Sequence, residues 1–439
     1  MSWPYHPELL ERPVPRYTSF PTAAEFTPAV GADDLDARLS ASSGDVSLYV
    51  HIPFCEKICW YCGCNTGAAN RRERLASYLD ALHREIALVG QRLGGRAKIR
   101  RVAFGGGSPN AIHPTDFVRL VDAMTLLAAL EDPVWSVELD PRTLGAEWEP
   151  VLAAVGVQRA SMGVQTFAPH LQQAIGRVQE DAMIAAGTAL LRRAGVSSIN
   201  FDLMYGLPRQ SLADLEAALA RTVELGADRI ALFGYAHVPH LIPRQKRIDA
   251  SHLPEQAERF AMAAMGHEYL LAQGYVAIGF DHFALASDSM AVALREGRLR
   301  RNFQGFTDDS APMLVGLGAS SISSFPDLIV QNEKNAGRYR MLLSQDRLTG
   351  HVGVRRSALD RELGAIIEAL LCQGEARVGA ERLAGMALAL EPFISRGLAA
   401  TGADGWLRIM DSGLPYARTI AALFDPYRQD SARRFSSAV

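Results

Sequence analysis

Hydrophobic residues alternate along the chain between short apolar runs and longer stretches whose apolar positions recur three and four residues apart. The runs at residues 46–51, 101–104, 135–139, 159–164, 198–204 and 229–235 are short and end at Gly, Pro or polar residues, which predicts buried strands. Helical spacing over 75–93, 114–130, 181–194 and 212–225 predicts amphipathic helices between them. Six β-then-α units in succession predict an α/β fold, a parallel sheet with helices outside, either a barrel or a doubly wound sheet. Polar and Gly-rich positions recur at the C-terminal ends of the runs, where barrel enzymes build their sites, which favours a partial (β/α) barrel. No G-x-G-x-x-G opens a helix and no G-x4-G-K-[ST] loop is present, which argues against a dinucleotide or P-loop fold. After about residue 350 the alternation fades into helical stretches such as 359–371. The expected division is an N-terminal arm (1–40), a (β/α) catalytic domain (41–350) and a mainly helical C-terminal domain (351–439).

Composition narrows the class of function. The chain has 439 residues, 48% of them hydrophobic and 21% charged, enough for a large core and a smaller second one. No apolar run approaches the ~20 residues that span a bilayer, and the first residues lack the basic-then-apolar pattern of a secretory leader. A cytoplasmic protein, with reduced thiols, is expected. A formal charge of −3 gives no general attraction to nucleic acid or anionic membrane, so an anionic substrate would be held by local arginines. Nothing in the pattern marks an apolar interface, and a monomer is expected.

Four of the five cysteines fall within ten residues, in His51-Ile-Pro-Phe-Cys55-Glu-Lys-Ile-Cys59-Trp-Tyr-Cys62-Gly-Cys64-Asn65. Cys55-x3-Cys59-x2-Cys62 can set three thiolates around three corners of a [4Fe–4S] cube and leave the fourth iron open. A structural zinc site would instead use paired ligands from two separated places, four in all, and no second pair lies at such spacing. Disulfides suit small secreted domains better than a large chain with few cysteines. Cys372, in Ile366-Ile-Glu-Ala-Leu-Leu-Cys372, reads as a buried small hydrophobe.

The cysteine spacing closely resembles that of the radical S-adenosylmethionine (SAM) enzymes. Further segments resemble the oxygen-independent coproporphyrinogen III oxidase family in order along nearly the whole chain. They are Pro15-Arg16-Tyr17-Thr18-Ser19-Phe20-Pro21-Thr22, Tyr49-Val-His51-Ile-Pro-Phe, Gly105-Gly-Gly-Ser108-Pro109, Ser136-Val-Glu138-Leu-Asp140-Pro141 and Ser161-Met-Gly-Val-Gln165. Asn200-Phe-Asp202-Leu-Met-Tyr-Gly-Leu-Pro208, Tyr235-Ala236-His237, Gly279-Phe-Asp281-His282-Phe283-Ala284 and Arg301-Asn-Phe-Gln-Gly-Phe306 complete the set.

The resemblance implies a partial barrel of the radical SAM type, with Cys55, Cys59 and Cys62 as ligands of a [4Fe–4S] cluster. It implies two SAM molecules. Tyr49, Gly106, Glu138 and Ile322 would meet the first; Tyr61, Gly107, Ser108, Gln165, Arg177, Asp202 and Ala236 would surround the second. The residue types suit these roles. Glycines at a strand end allow a ligand close to the backbone, Glu138 can accept bonds from a ribose or ammonium, and Arg177 can fork onto a carboxylate. Asp202 is the only charge in the apolar run 199–203, where a buried carboxylate needs a partner, either a ligand or a neighbouring Arg. Cys64 is not an expected ligand; its role stays open between packing and something more.

By the same resemblance the substrate is coproporphyrinogen III. Two of its propionates would lose hydrogen, carbon dioxide and an electron to become vinyl groups, giving protoporphyrinogen IX. The cofactors carry that chemistry, with electrons from a flavodoxin-like donor. Arg16, Tyr17 and Arg301 are candidates to meet the remaining carboxylates. A haem chaperone of the same fold and a different radical SAM reaction on a tetrapyrrole are the competing readings. Phe306 and Phe20 stand where the family commonly has Tyr, and Asp308-Asp309 follows Thr307 where a second Thr is usual. An acidic pair facing the substrate would repel propionates.

Overall fold

The structure, a computed structural model, describes residues 3–69, 72–127 and 129–428. Each of the six apolar runs forms a strand: β1 (Gly44–Ile52), β2 (Ala97–Gly106), β3 (Ala129–Leu139), β4 (Arg159–Gln165), β5 (Ser198–Tyr205) and β6 (Arg229–Gly234). They lie side by side in chain order, all parallel. Successive side chains of a strand point to opposite faces, and here the faces differ in chemistry. Val102, Phe104, Val137, Met162, Phe201 and Ile230 are buried in the main apolar core, which helices such as Arg72–Leu93 and Leu212–Glu224 share. Arg101, Glu138, Arg159, Ser161, Asn200 and Asp202 line a cavity on the inner side. The sheet is therefore apolar outside and polar inside.

Beyond β6 the sheet continues through the antiparallel pair β7 (Tyr275–Ile278) and β8 (His282–Leu285), β8 lying next to β6. On the other side β9 (Met313–Leu317) runs parallel to β1, and β10 (Ile322–Phe325), β11 (Leu328–Asn332) and β12 (Gly350–Arg355) follow antiparallel. The twelve-strand order is β12-β11-β10-β9-β1-β2-β3-β4-β5-β6-β8-β7, open at both ends, so the barrel is partial.

Helical spacing over 114–130 overshoots: the helix is Pro114–Leu127, and Leu130 pairs with Ile99 in the sheet. Pro133 disfavours helix just before it, and strand pairing takes the remaining residues. The C-terminal region is led by helix Ala358–Gln373, started by a Ser357–Asp360 capping box and stopped at left-handed Gly374. Besides further helices it holds a three-stranded antiparallel sheet (Glu375–Arg377, Trp406–Ile409, Ala399–Thr401), which no pattern announced. Its apolar core includes Leu10, Val14, Tyr17 and Phe20 of the arm beside Leu363, Ile367 and Ile420. Among the described residues no helix is long and apolar enough to cross a membrane.

Candidate functional site

A cavity of about 650 Å³ opens at the C-terminal ends of the parallel strands. The loop after β1 brings Cys55, Cys59, Cys62 and Cys64 onto its wall. Two anchors shape that loop. Phe54–Cys55 pairs with Gly67–Ala68, and the Trp60 amide donates to the Ile175 carbonyl at 3.1 Å. The Trp60 ring lies on Gly176, where a Cβ would meet the ring at 2.5 Å and φ is +65°. Only glycine fits there.

The thiols sit among cations. Arg177 Nη1 donates to Cys59 Sγ at 3.1 Å and Arg142 Nη2 donates to the same sulfur at 3.3 Å. Both arginines also hold Asp140: Arg142 Nη2 at 2.6 Å and Arg177 Nη2 at 3.2 Å. Burial alone would raise the Asp140 carboxyl, yet Arg177 and Arg142 hold it below the usual carboxylate range. Arg177 is buried as well; burial works against its charge, and Tyr61, Asp140 and Cys59 keep its pKa raised. Burial pushes the Cys55 thiol up to about 12. Cys62 is lowered to about 6, chiefly because the Cys64 thiol donates to it. Among the described residues no three His, Cys, Asp or Glu side chains converge on one ion. Three cysteines spread along one wall, with guanidinium donors on sulfur, fit a polynuclear thiolate-held group, in which each sulfur takes its own iron.

The glycine run ending β2 faces the same cavity. A Cβ on Gly106 (φ +111°) would lie 2.5 Å from the His51 ring, and one on Gly107 would lie 2.5 Å from the Phe54 carbonyl oxygen. The Gly106 amide donates to Glu138 Oε2 at 3.2 Å, and burial raises the Glu138 pKa to about 7. Asp202 accepts from Ser161 Oγ at 3.1 Å and Asn200 Nδ2 at 2.8 Å, and burial raises its pKa too. Gln165, held at φ +62°, lines the cavity with a buried Oε1 that no hydrogen bond reaches. An orphaned acceptor and two buried carboxylates met by neutral donors suit a polar ligand at this wall.

Of the candidates from the sequence, Tyr61, Gly106, Gly107, Glu138, Gln165, Arg177, Asp202, Ala236 and Arg16 line this cavity with the three cysteines. Arg16 rests with its guanidinium 5.1 Å above the Phe233 ring. The remaining candidates lie off the wall. The Tyr49 hydroxyl bonds to His51 Nδ1 at 3.2 Å beneath Phe303, and Ser108 donates to Asn110 at 2.8 Å. Ile322 and Arg301 edge a smaller cavity of about 150 Å³, with Tyr17, whose hydroxyl donates to Asp425 at 3.0 Å. Arg301 donates through Nε and Nη2 to the Arg16 carbonyl at 3.1 and 3.0 Å, so it supports Arg16 from behind. Asp140 and Arg142 were missed as site residues. The signal was the strand-ending Asp140-Pro141-Arg142, in which Asp140 caps the following turn by accepting from the Arg142 amide.

The acidic pair after Thr307 does not face the cavity. Asp308 accepts a two-pronged bond from Arg159 at 2.7 and 2.6 Å and an ion pair from Arg101 at 2.8 Å; Asp309 accepts from Ser47. Neither lines the large cavity, so no repulsion of an anionic substrate arises there; Asp309 lines the smaller cavity beside Tyr17 and Arg301.

The comparisons with known proteins agree with this geometry. Residues 49–221 match the family model of the radical SAM superfamily. The chain is 40% identical over 441 residues to the oxygen-independent coproporphyrinogen III oxidase of Bradyrhizobium diazoefficiens, covering 98% of each chain. It is 33% identical to the Escherichia coli protein of that name, covering 95% of this chain and 94% of that one. The solved structure of coproporphyrinogen III oxidase (HemN) from Escherichia coli, a radical SAM enzyme, superposes with a TM-score of 0.90 at 31% identity, covering 97% of this chain and all of that one. The chain belongs to the oxygen-independent coproporphyrinogen III oxidase family of the radical SAM superfamily.

Proposed function

We propose that this protein converts two propionate side chains of coproporphyrinogen III to vinyl groups by oxidative decarboxylation, giving protoporphyrinogen IX. The observation that carries the reading is the set Cys55, Cys59 and Cys62 on one cavity wall, with Arg177 and Arg142 donating to Cys59. When bound, a [4Fe–4S] cluster with SAM supplies one-electron chemistry able to take a hydrogen atom from carbon. The three thiolates would hold the cluster. Gly106 and Gly107 present a side-chain-free stretch of cavity wall, with Glu138 beside it to accept from a ligand's ammonium or hydroxyls. Arg177, Gln165, Tyr61, Asp202 and Ala236 form the wall for a second SAM molecule, and Arg16 faces the same space as a cation for a substrate propionate. Phe233 and Tyr235 supply aromatic surface to that wall. A flavodoxin-like donor, a cytoplasmic location and a monomeric state accompany this reading by analogy.

The test is anaerobic. The reconstituted protein with dithionite, SAM and coproporphyrinogen III is expected to give products lighter by one and then two carbon dioxide units, with 5′-deoxyadenosine, by mass spectrometry. Deoxyadenosine beside an intact tetracarboxylate would move the reading to another substrate. No iron–sulfur absorbance and no SAM cleavage would end it.

A further inference from the structure

The segment after β6 closes the cavity over the cysteine loop, and its outer face is basic. Its short helix, Pro243–Arg247, is fastened to that loop at three points. Gln245 Nε2 donates to the Tyr61 carbonyl at 3.0 Å, and Arg244 Nη1 donates to Thr66 Oγ1 at 3.1 Å. The Arg247 guanidinium lies 5.9 Å from the centre of the Trp60 ring. Gln245 is buried by these contacts, whereas Lys246 and Arg247 are exposed. Lys57, in the cysteine loop itself, is exposed too, its carbonyl held by Arg142 Nη2 at 3.0 Å. Two apolar side chains stand open to solvent beside these cations. Leu241, 63% exposed, precedes the Ile242 that abuts Gly63, and Val178, 61% exposed, follows the Arg177 that bonds Cys59.

We propose that this face docks an acidic protein that carries one electron, which enters through the cysteine loop. Charge complementarity carries the argument. Exposed arginines elsewhere are answered on the surface: Arg193 by Glu149, Arg355 by Asp34 and Arg408 by Glu375. Among the described residues no ion pair holds Lys57, Arg244, Lys246 or Arg247. With Arg209 they outnumber the acidic neighbours Glu56, Glu180 and Asp249. Asp249 is turned to the Ser251 amide and hydroxyl, from which it accepts at 3.1 and 2.6 Å. On a chain of formal charge −3 this is a local surplus of cation, which draws in an acidic partner and turns away a basic one. Open apolar side chains among arginines suit a protein contact better than a small anion. Position supplies the rest. Lys57 lines the cavity and also meets solvent, so the wall between Cys55, Cys59 and Cys62 and this face is one residue thick there. The carrier is oxidised by one electron and the cluster reduced by one; no atom is transferred. The proposal rests on the reading that the cluster is bound.

The probe is a flavodoxin, an acidic protein whose flavin carries one electron. Its binding to the anaerobically reconstituted protein is measured by isothermal titration. Formation of 5′-deoxyadenosine with coproporphyrinogen III is then followed with reduced flavodoxin and, separately, with dithionite. K246E is expected to weaken flavodoxin binding about fivefold and K246E/R247E about thirtyfold. Wild-type affinity should fall as salt rises from about 20 to about 200 mM. Turnover with dithionite should stay within about twofold of wild type in both variants. R377E makes the same charge change at an exposed arginine of the C-terminal sheet and should keep flavodoxin affinity within about twofold. K246E alone carries the test should R247E lower the iron content through Trp60. Unchanged affinity in K246E, an equal loss in R377E, or dithionite turnover falling as far as flavodoxin turnover would overturn the proposal. So would a wild type that works with dithionite and binds no flavodoxin. A raised KM for coproporphyrinogen III with both reductants would also overturn it, making the face a guide for the anionic substrate. Wild type that cleaves no SAM with dithionite would instead overturn the functional reading beneath it.

Discussion

The two ends of the barrel bury charge in opposite ways. At the base, Arg101, Arg159 and Arg229 are answered by Asp308 and Asp288 at hydrogen-bonding distance. Burial alone would raise the Asp308 pKa, but the two-pronged bond from Arg159 and the charge of Arg101 hold it far below the usual carboxylate range. At the cavity end Glu138 and Asp202 are buried too, yet their hydrogen bonds come from neutral donors, the Gly106 amide for one, Ser161 and Asn200 for the other. Both pKa values rise. Burial is common to the two ends; a cation at hydrogen-bonding distance is what differs. A carboxylate with its cation in place is structure, and one held ready without a cation marks where a ligand completes the site. Asp140 stands between these cases, since its two arginines also hold a cysteine sulfur.

The largest effect that would sharpen this contrast comes from the cysteines. C59S should leave the reconstituted protein with at most a small fraction of the wild-type iron and activity below detection, because Cys59 combines a ligand role with the Arg177 and Arg142 contacts. Iron and sulfide analysis with the absorption spectrum checks this. Full iron loading in C59S would remove Cys59 from the ligand set. Next in size is a matched pair of arginine variants. R177Q and R229Q each break a buried ion pair, a loss of about 3 kcal/mol when one partner is removed. Both should lower the melting temperature. R177Q should in addition reduce turnover at least about a hundredfold, since a misplaced positioning group costs that much, while R229Q keeps turnover per folded molecule within about twofold of wild type. Equal losses of turnover would erase the distinction between the two ends.

The sequence carried a good part of this. The six parallel strands followed from their apolar runs and the glycine or polar residues ending them, and the cysteine spacing with Gly105–Gly107 pointed to one end of the sheet. Periodicity failed where pairing partners lie far away in sequence. Strand β9 joins β1 from more than 260 positions downstream, and no local signal marks it as the parallel neighbour. Nor does local pattern say where the arm packs: Leu10 and Phe20 share a core with Ile367 and Ile420. Within the site, residue type could suggest Asp202 as a ligand contact or as the partner of an arginine. Only the fold brought Ser161 and Asn200 to it. Asp308 misled for the same reason: an acidic residue near a substrate motif says nothing about which way the chain turns, and here it turns to Arg159 and Arg101.

The smallest expected effect, and the sharpest on physical grounds, concerns Glu138. Burial raises its pKa from an ordinary 4.5 to about 7, so the folded ligand-free protein prefers the neutral acid. Between those values the native state binds a proton that the unfolded chain has released, so this group's contribution to stability falls as pH rises. Its stabilisation is complete below about pH 4.5 and is gone once pH passes through about 7. E138Q is neutral at every pH and lacks that dependence. The melting temperature of wild type minus that of E138Q should therefore decline from about pH 4.5 to about pH 7 and then level off, in protein free of SAM. With SAM present an ammonium or hydroxyl partner favours the ionised form, and the decline should shrink and move to lower pH. A difference flat across this window would mean that Glu138 already has its cation, which would place it with Asp308 and leave the cavity end no different from the base.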